Sequence, residues 1–330
     1  MSGLSFQTDK QVIVCVGSAL VDMLARESDE FMQNLGVEKG GMNLVESDYI
    51  DQLVEKTKEP PIIVPGGSAC NTAIGVGMMG GKARFVGKLG EDSLGDMFHQ
   101  DLKKNNVEPV LFPSDLPTGR VLSVITPDAQ RSMFTYLGAA AELHPSEITP
   151  DCFDQAAIVH VEGYLLFNRE LMLATIKAAK AEGVRVSLDL ASFNVVEASR
   201  DFLDQIIEDY IDILIANEDE VRAFTGETDE AKALSDLSRN VEIAVLKVGG
   251  RGSFVNYQGE QISIEPMVCP NAVDSTGAGD LWAAGFLFGL VNGYSIQKSG
   301  EFASACGAEV CQVVGANIPE DGWARIRRLL

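Results

Sequence analysis

Positive charge is what this chain of 330 residues has least of: 26 Lys and Arg stand against 48 Asp and Glu, a net charge of −22. A nucleic-acid backbone and an anionic membrane surface both demand clustered Lys and Arg, so both are excluded as partners. A phosphorylated ligand is not excluded, because a local set of backbone amides works inside a negative global field. Long apolar runs are missing too. None approaches the ~20 residues needed to span a bilayer, and 75–80 and 281–291 are too short and too rich in Gly or Ala. The six cysteines have no tight spacing, the pattern of a reduced cytosolic protein and not of a disulfide framework. The opening MSGLSFQTDK lacks a basic n-region, so no leader is expected and the location is read as cytoplasmic. Three scattered histidines, His99, His144 and His160, speak against a zinc site.

Several phosphate motifs are absent as well. Gly81-Lys82 is followed by Ala83, and position 76 is Val, so there is no G-x-x-x-x-G-K-[ST]. No G-x-G-x-x-G follows the first strand, and the protein-kinase signature set is not there. What remains is an ordinary globular composition, with 46% hydrophobic and 22% charged residues. At this length, one large domain with an appendage or two domains is expected. Continuous apolar runs at 12–17, 83–87, 157–161, 184–188, 211–216 and 243–248 read as strands buried on both faces. Helical patterns fall between most of them, at 68–79, 93–105, 169–182, 199–210 and 229–239. That alternation predicts an α/β fold, a doubly wound and mostly parallel sheet. Gly turns after Val248 predict an antiparallel edge. The segments 23–45 and 108–136 carry strand-like pieces and no crossover helix. They predict a small β-sheet lid on a core made of 1–22, 46–107 and 137–330, either covering the active site or serving a structural or dimerising role.

The densest chemistry lies at Asp274-Ser275-Thr276-Gly277-Ala278-Gly279-Asp280. Small residues at 277–279 can turn successive N–H groups onto one point at a helix start, where the macrodipole favours an anion. Asp280 then projects a carboxylate beside that anion. A cradle next to a general base is what phosphoryl transfer to a hydroxyl requires; a Gly-rich turn with an acidic cap is the plainer alternative. Pro65-Gly66-Gly67-Ser68-Ala69-Cys70-Asn71 forms a second Gly-rich turn opening a helix. Its glycines allow close approach to the backbone, Ser68 can cap, and Asn71 lies one turn on.

Together these two segments resemble the ribokinase (PfkB) family of small-molecule kinases, and the likeness covers nearly the whole chain. Gly17-x-x-x-x-Asp22, Asn217-Glu218-Asp219-Glu220 and Lys247-x-Gly249-x-x-Gly252 follow in the family's order. The resemblance implies ATP as phosphoryl donor, Asp280 as base, and amides of Gly277, Ala278 and Gly279 as the anion hole. It implies that Asn217 and Glu220 organise Mg²⁺ through water, although both could simply cap the following helix. Lys247, Gly249, Gly252 and Thr276 would face the nucleotide, and Asp274 with Thr276 matches positions where relatives hold a monovalent cation such as K⁺. Ser275 replaces the Thr common in the family's motif.

Ser18, Asp22, Gly66, Gly67, Ser68 and Asn71 would hold the acceptor, with Asp22 accepting from vicinal hydroxyls. Arg131-Ser132-Met133-Phe134-Thr135-Tyr136 and Gly41-Met42-Asn43-Leu44-Val45 look like the adenosine kinase branch. There an Arg matching Arg131 faces phosphate, and Met133, Phe134 and Tyr136 would either wall the base or fill the lid's own core. Ser18 stands where adenosine kinases often have Asn. The function implied is ATP-dependent phosphorylation of a ribofuranoside, adenosine first, with a ribokinase- or fructokinase-like sugar kinase as the alternative. A non-catalytic nucleoside or sugar sensor is a third reading. A monomer and a lid-mediated homodimer are equally compatible with the sequence.

Overall fold

The structure is a computed structural model that describes residues 10–37, 39, 41–128, 130–270 and 272–330. Residues 1–9, read above as free of a leader, lie outside the described residues. In chain order the strands are β1 (Val12–Val16), β2 (Leu20–Arg26), β3 (Met42–Leu44), β4 (Ile62–Gly66), β5 (Lys82–Gly90), β6 (Val107–Ser114) and β7 (Gly119–Ile125). They continue as β8 (Arg131–Tyr136), β9 (Ala156–Glu162), β10 (Arg185–Asp189), β11 (Ile213–Asn217), β12 (Ile243–Lys247), β13 (Ser253–Tyr257) and β14 (Glu260–Ile264). The helices are α1 (Asp29–Leu35), α2 (Ser47–Val54), α3 (Ser68–Met78), α4 (Ser93–Lys104), α5 (Arg169–Ala181) and α6 (Phe193–Tyr210). After them come α7 (Glu218–Thr225), α8 (Glu230–Leu237), α9 (Ala278–Val291), α10 (Ile296–Val310) and α11 (Glu320–Arg327).

A nine-stranded sheet runs β14-β13-β12-β11-β10-β9-β1-β5-β6. It is parallel from β6 to β12 and antiparallel beyond, as the sequence predicts. Side chains alternate faces along each strand. Val12, Val14 and Val16 pack with residues of α5 to α8, and Ile13 and Cys15 pack with residues of α3, α9 and α10. Both faces are covered, which is why these strands are apolar throughout. Helix α9 is buried at every position from Leu281 to Leu290, so it sits inside a layer and not on the surface. The chain reverses its direction of growth between β1 and β9, a switch point beside which a cleft opens at the carboxyl ends of the strands.

The second sheet runs β3-β8-β7-β2-β4. Met23, Ala25, Leu122, Val124 and Phe134 form its covered face, packed on Met32 of α1 and on Ile50 and Leu53 of α2. Its limits differ from the ranges 23–45 and 108–136. Strand β6 pairs with β5 along its length and belongs to the large sheet. Strand β4 pairs with β2, and α2 supplies apolar side chains beneath, so 46–66 goes with the small sheet. Two short helices stand where none was expected, because seven or eight residues give barely two turns of periodicity. The cap signals were legible, however: Ser28 accepts from Phe31 N and Gly36 closes α1 at φ 65°. Helix α6 likewise starts earlier than 199, at Phe193, capped by Ser192.

Candidate active site

Asp280 occupies the first turn of α9 and faces the first turn of α3. Ser68 Oγ donates to its Oδ1 at 2.7 Å, and Asn71 Nδ2 donates to its Oδ2 at 2.9 Å. Thr72 Oγ1 donates to the Asp280 carbonyl at 3.1 Å. Burial pushes the Asp280 carboxyl up to about 6 against these two side-chain donors, with the Asp189 carboxylate adding to the rise and Lys247 opposing it. A carboxylate held at that value by fixed donors is ionised at neutral pH and still basic enough to take a proton. Gly67, at φ 90°, is the cap of α3, so Ser68 and Asn71 orient the carboxylate where the sequence had assigned them to the acceptor.

At the start of α9, Gly277 caps at φ 73°, and a Cβ there would lie 2.5 Å from Ala316 Cβ. The Ala278 amide donates to Ser275 O at 3.1 Å. Among the described residues, the amides of Gly277, Gly279 and Asp280 have no backbone partner, so Ala278 leaves the expected 277–279 set and Asp280 joins it. Lys247, last in β12, lies against it: a Cβ on Gly279 would be 3.0 Å from Nζ. Lys247 Nζ also donates to Asp189 Oδ2 at 2.7 Å. Burial opposes its charge, yet Asp189, Glu220 and Asp280 together hold its pKa above the ordinary lysine range. A fixed ammonium and open amides at a helix N-terminus make an anion site.

Two buried acids at the site escaped the sequence reading. Asp189 ends β10 and pins Lys247. Glu162 ends β9 and is 1% exposed. It accepts from Ser18 N at 2.8 Å and Ala69 N at 3.0 Å, tying the turn after β1 to α3, and burial raises its pKa. Each is an acidic residue closing an apolar strand run, a signal that could have found it.

On the acceptor side, Asp22 of β2 is 7% exposed and its carboxyl is raised by burial, with Arg131 opposing and Asp274 reinforcing. A Cβ on Gly66 would lie 2.6 Å from Asp22 Cγ, and one on Gly67 would lie 2.4 Å from Ser18 O. Both glycines are therefore fixed by protein contacts already present. Arg131 donates to Thr276 Oγ1, and to Ser123 Oγ at 2.9 and 2.7 Å, and its Nη2 is 3.8 Å from Asp22 Oδ2. It thus bridges the small sheet to the loop before α9. Asp274 accepts from Thr276 N at 3.0 Å, Thr276 Oγ1 at 2.7 Å and Gly315 N at 2.8 Å, which organises that loop. Alternation along β8 sends Phe134 into the lid core at 0% exposure, beside Tyr49, and Tyr136 packs against the same cluster. Met133 faces the opposite way. Of the three residues proposed for the base, only Met133 stands on the site side.

Asn217, Lys247, Gly249 and Gly252 line a cavity of about 570 Å³ together with Ala278, Gly279, Trp282 and the end of α10. Asn217 and Glu220 form a capping box. Asn217 N and Nδ2 donate to Glu220 at 2.8 and 2.7 Å, and Glu220 N donates to Asn217 Oδ1 at 3.0 Å. Burial, and then Asp189, push Glu220 up to about 7. Direct coordination would break this box, but a buried carboxylate strained by a second one suits a hydrated hard cation held through water. Among the described residues no cluster of three metal-ligating side chains occurs, and His160 lies fully buried on Ser187 Oγ.

An open anion cradle, a buried lysine and an adjacent carboxylate at the switch point of a doubly wound sheet define a small-molecule kinase fold. Residues 53–322 match the pfkB family carbohydrate kinase profile, and the chain belongs to that family, whose members use ATP and typically a metal ion. It is similar to the crystal structure of adenosine kinase from Sinorhizobium meliloti, at 32% identity and TM-score 0.88 over 97% of this chain and 99% of that one. A probable sugar kinase from Rhizobium etli CFN 42 matches at 30% identity and TM-score 0.89 over 98% and 100%. A probable fructokinase-5 of Arabidopsis thaliana is 31% identical over 77% of this chain and 84% of its own length.

Proposed function

We propose that the protein transfers the γ-phosphoryl of ATP to the 5′-hydroxyl of adenosine. In this reading Asp280 takes the hydroxyl proton, and Lys247 with the free amides at the start of α9 receives the transferring group. Transfer of this kind is largely dissociative, so positioning and charge neutralisation dominate the rate. The cavity between Gly249, Gly252 and α10 takes the nucleotide. Magnesium, held through water at Asn217 and Glu220, would neutralise phosphate charge. Asp22 takes ribose hydroxyls, and Arg131, latched to Thr276, carries lid position to the cradle.

One observation carries the choice of nucleoside: the β3 edge of the site-facing side of the small sheet is apolar and exposed. Met133 pairs with Met42, and Leu44 lies beside them; Met42 and Leu44 are 49% and 67% exposed. A purine covers such a surface, and a free sugar has no flat apolar face to offer it. The fructokinase relative favours a sugar acceptor as the second reading. Chromatography of the products of MgATP and adenosine tests the proposal: AMP must form. Met133→Asp should raise the KM for adenosine about tenfold or more, the cost of burying a carboxylate against a base, and leave the KM for ATP within about twofold. A variant with unchanged adenosine KM would remove Met133 from the site.

A further inference from the structure

Cysteine is distributed unevenly with respect to the nucleotide cavity. Of the six, Cys15, Cys70, Cys152 and Cys306 are buried, at 0–2% exposure. Burial raises the pKa of Cys15, Cys70 and Cys306 far above the usual thiol range, so those three are inert. The two that remain partly open, Cys269 and Cys311, both line the cavity that also holds Lys247, Gly249 and Gly279.

They approach it from opposite elements. Cys311 is the C-terminal cap of α10. Cys269 belongs to the irregular stretch that leaves β14 at Ile264 and crosses the cavity mouth with Pro266 and Met267. Within that stretch Val268 is 83% exposed, while Cys269 is turned partly inward. The stretch is pinned to α10 on both sides of Cys269: Ser304 Oγ donates to Glu265 O at 3.1 Å, and Val273 N donates to Cys311 O at 2.8 Å. Burial raises the Cys311 thiol, with the charges of Cys269 and Asp274 adding to the rise. Cys269 stands on the open stretch beside the exposed Val268 and Cys311 is held at the end of α10, so Cys269 is the thiol that peroxide meets first.

We propose that Cys269 and Cys311 are a peroxide-sensitive dithiol whose oxidation bridges the cavity mouth and shuts out nucleotide. Cys269 thiolate attacks one peroxide oxygen, the O–O bond breaks, and a sulfenic acid forms as hydroxide leaves and is protonated to water. Cys311 thiolate then attacks the sulfenic sulfur, the S–S bond forms, and the second water departs. Two thiols lose two electrons, and one hydrogen peroxide becomes two waters. Exclusion of ATP rests on the nucleotide reading of this cavity; the bridge itself does not.

Treatment of the reduced protein with hydrogen peroxide, followed by non-reducing peptide mapping, tests the bridge. The expected result is a linked peptide pair containing Cys269 and Cys311, a mass loss of two hydrogens, and reversal by dithiothreitol. Absence of that link, or its formation equally with any buried cysteine, overturns the proposal. Cys311→Ser should stop at a trappable Cys269 sulfenic acid, and a dimedone adduct on another residue would also overturn it. Binding of a fluorescent ATP analogue, measured before and after oxidation, separates the two claims. Loss of binding on oxidation, restored by thiol, supports the shut mouth. Undiminished binding by the bridged protein overturns it, and failure of the reduced protein to bind the analogue overturns the nucleotide reading while the mapped bridge stands.

Discussion

Replacing Asn71 by Ala removes the donor 2.9 Å from Asp280 Oδ2 and leaves Ser68 as the remaining side-chain donor to that carboxylate. A hydrogen bond to a charged group contributes roughly 1.5–3 kcal/mol, and one pKa unit corresponds to about 1.4 kcal/mol. The base should therefore move from about 6 to the range of roughly 7–8. At pH 7 the ionised fraction then falls from about nine-tenths to between about a half and a tenth. The assay is kcat/KM for adenosine from pH 5 to 9.5 at saturating MgATP, since that ratio reports the free enzyme's essential groups. The expected outcome is an acid limb displaced upward by one to two units, a loss of about two- to tenfold at pH 7, and recovery above pH 9. An acid limb that stays in place would refute the reasoning. A loss equal at every pH would reassign Asn71 to the acceptor, the role its position in the sequence suggested.

Other outcomes follow from the same contacts. Gly66→Ala places a Cβ 2.6 Å from Asp22 Cγ and should raise the acceptor KM well above that for ATP, as initial-rate measurements with each substrate varied will show. Lys247→Met removes the ammonium from the cradle and should lower kcat by about a hundredfold or more, the scale of losing one preorganised charge-stabilising donor. Retention of a tenth of wild-type kcat would contradict that role. Glu220, at about 7, and Asp280, at about 6, bind protons more tightly folded than unfolded. Their stability contribution is complete below the unfolded carboxylate values of about 4 and is lost progressively as pH rises to the folded ones. His160, held near 4, works the other way below its unfolded value of about 6.5. On balance the melting temperature should fall between about pH 4.5 and 7, and Glu220→Gln should flatten that slope in calorimetric scans.

The large sheet was legible because strands covered on both faces must be apolar throughout, as Val12–Val16 is. The small sheet was harder to read. Its edge strands β3 and β4 are largely open, and β4 reads Ile62–Gly66 with little alternation in burial. Its partner helices are two turns long, so neither period is strong. Within the site, Asp280 and the glycines around it stood out because their residue types are forced. Gly277 needs a positive φ and Gly66 must clear Asp22. Phe134 was left open between the base and the lid core because a strand segment alone does not say which of its two faces looks inward. Burial at α1 and α2 decides that. Glu162 and Asp189 were passed over because a single acid closing a strand is a weak signal until its partners, from distant elements, are brought to it.

Steady-state kcat/KM for MgATP-dependent ADP release, measured side by side with adenosine, inosine, guanosine, ribose and fructose, tests the assignment most directly. The account predicts turnover with adenosine, at least about a hundredfold above either free sugar, a margin worth about 2.7 kcal/mol of transition-state binding from the base. Efficient turnover of ribose or fructose with none for adenosine would contradict it, and would return the exposed apolar edge beside Met133 to another role.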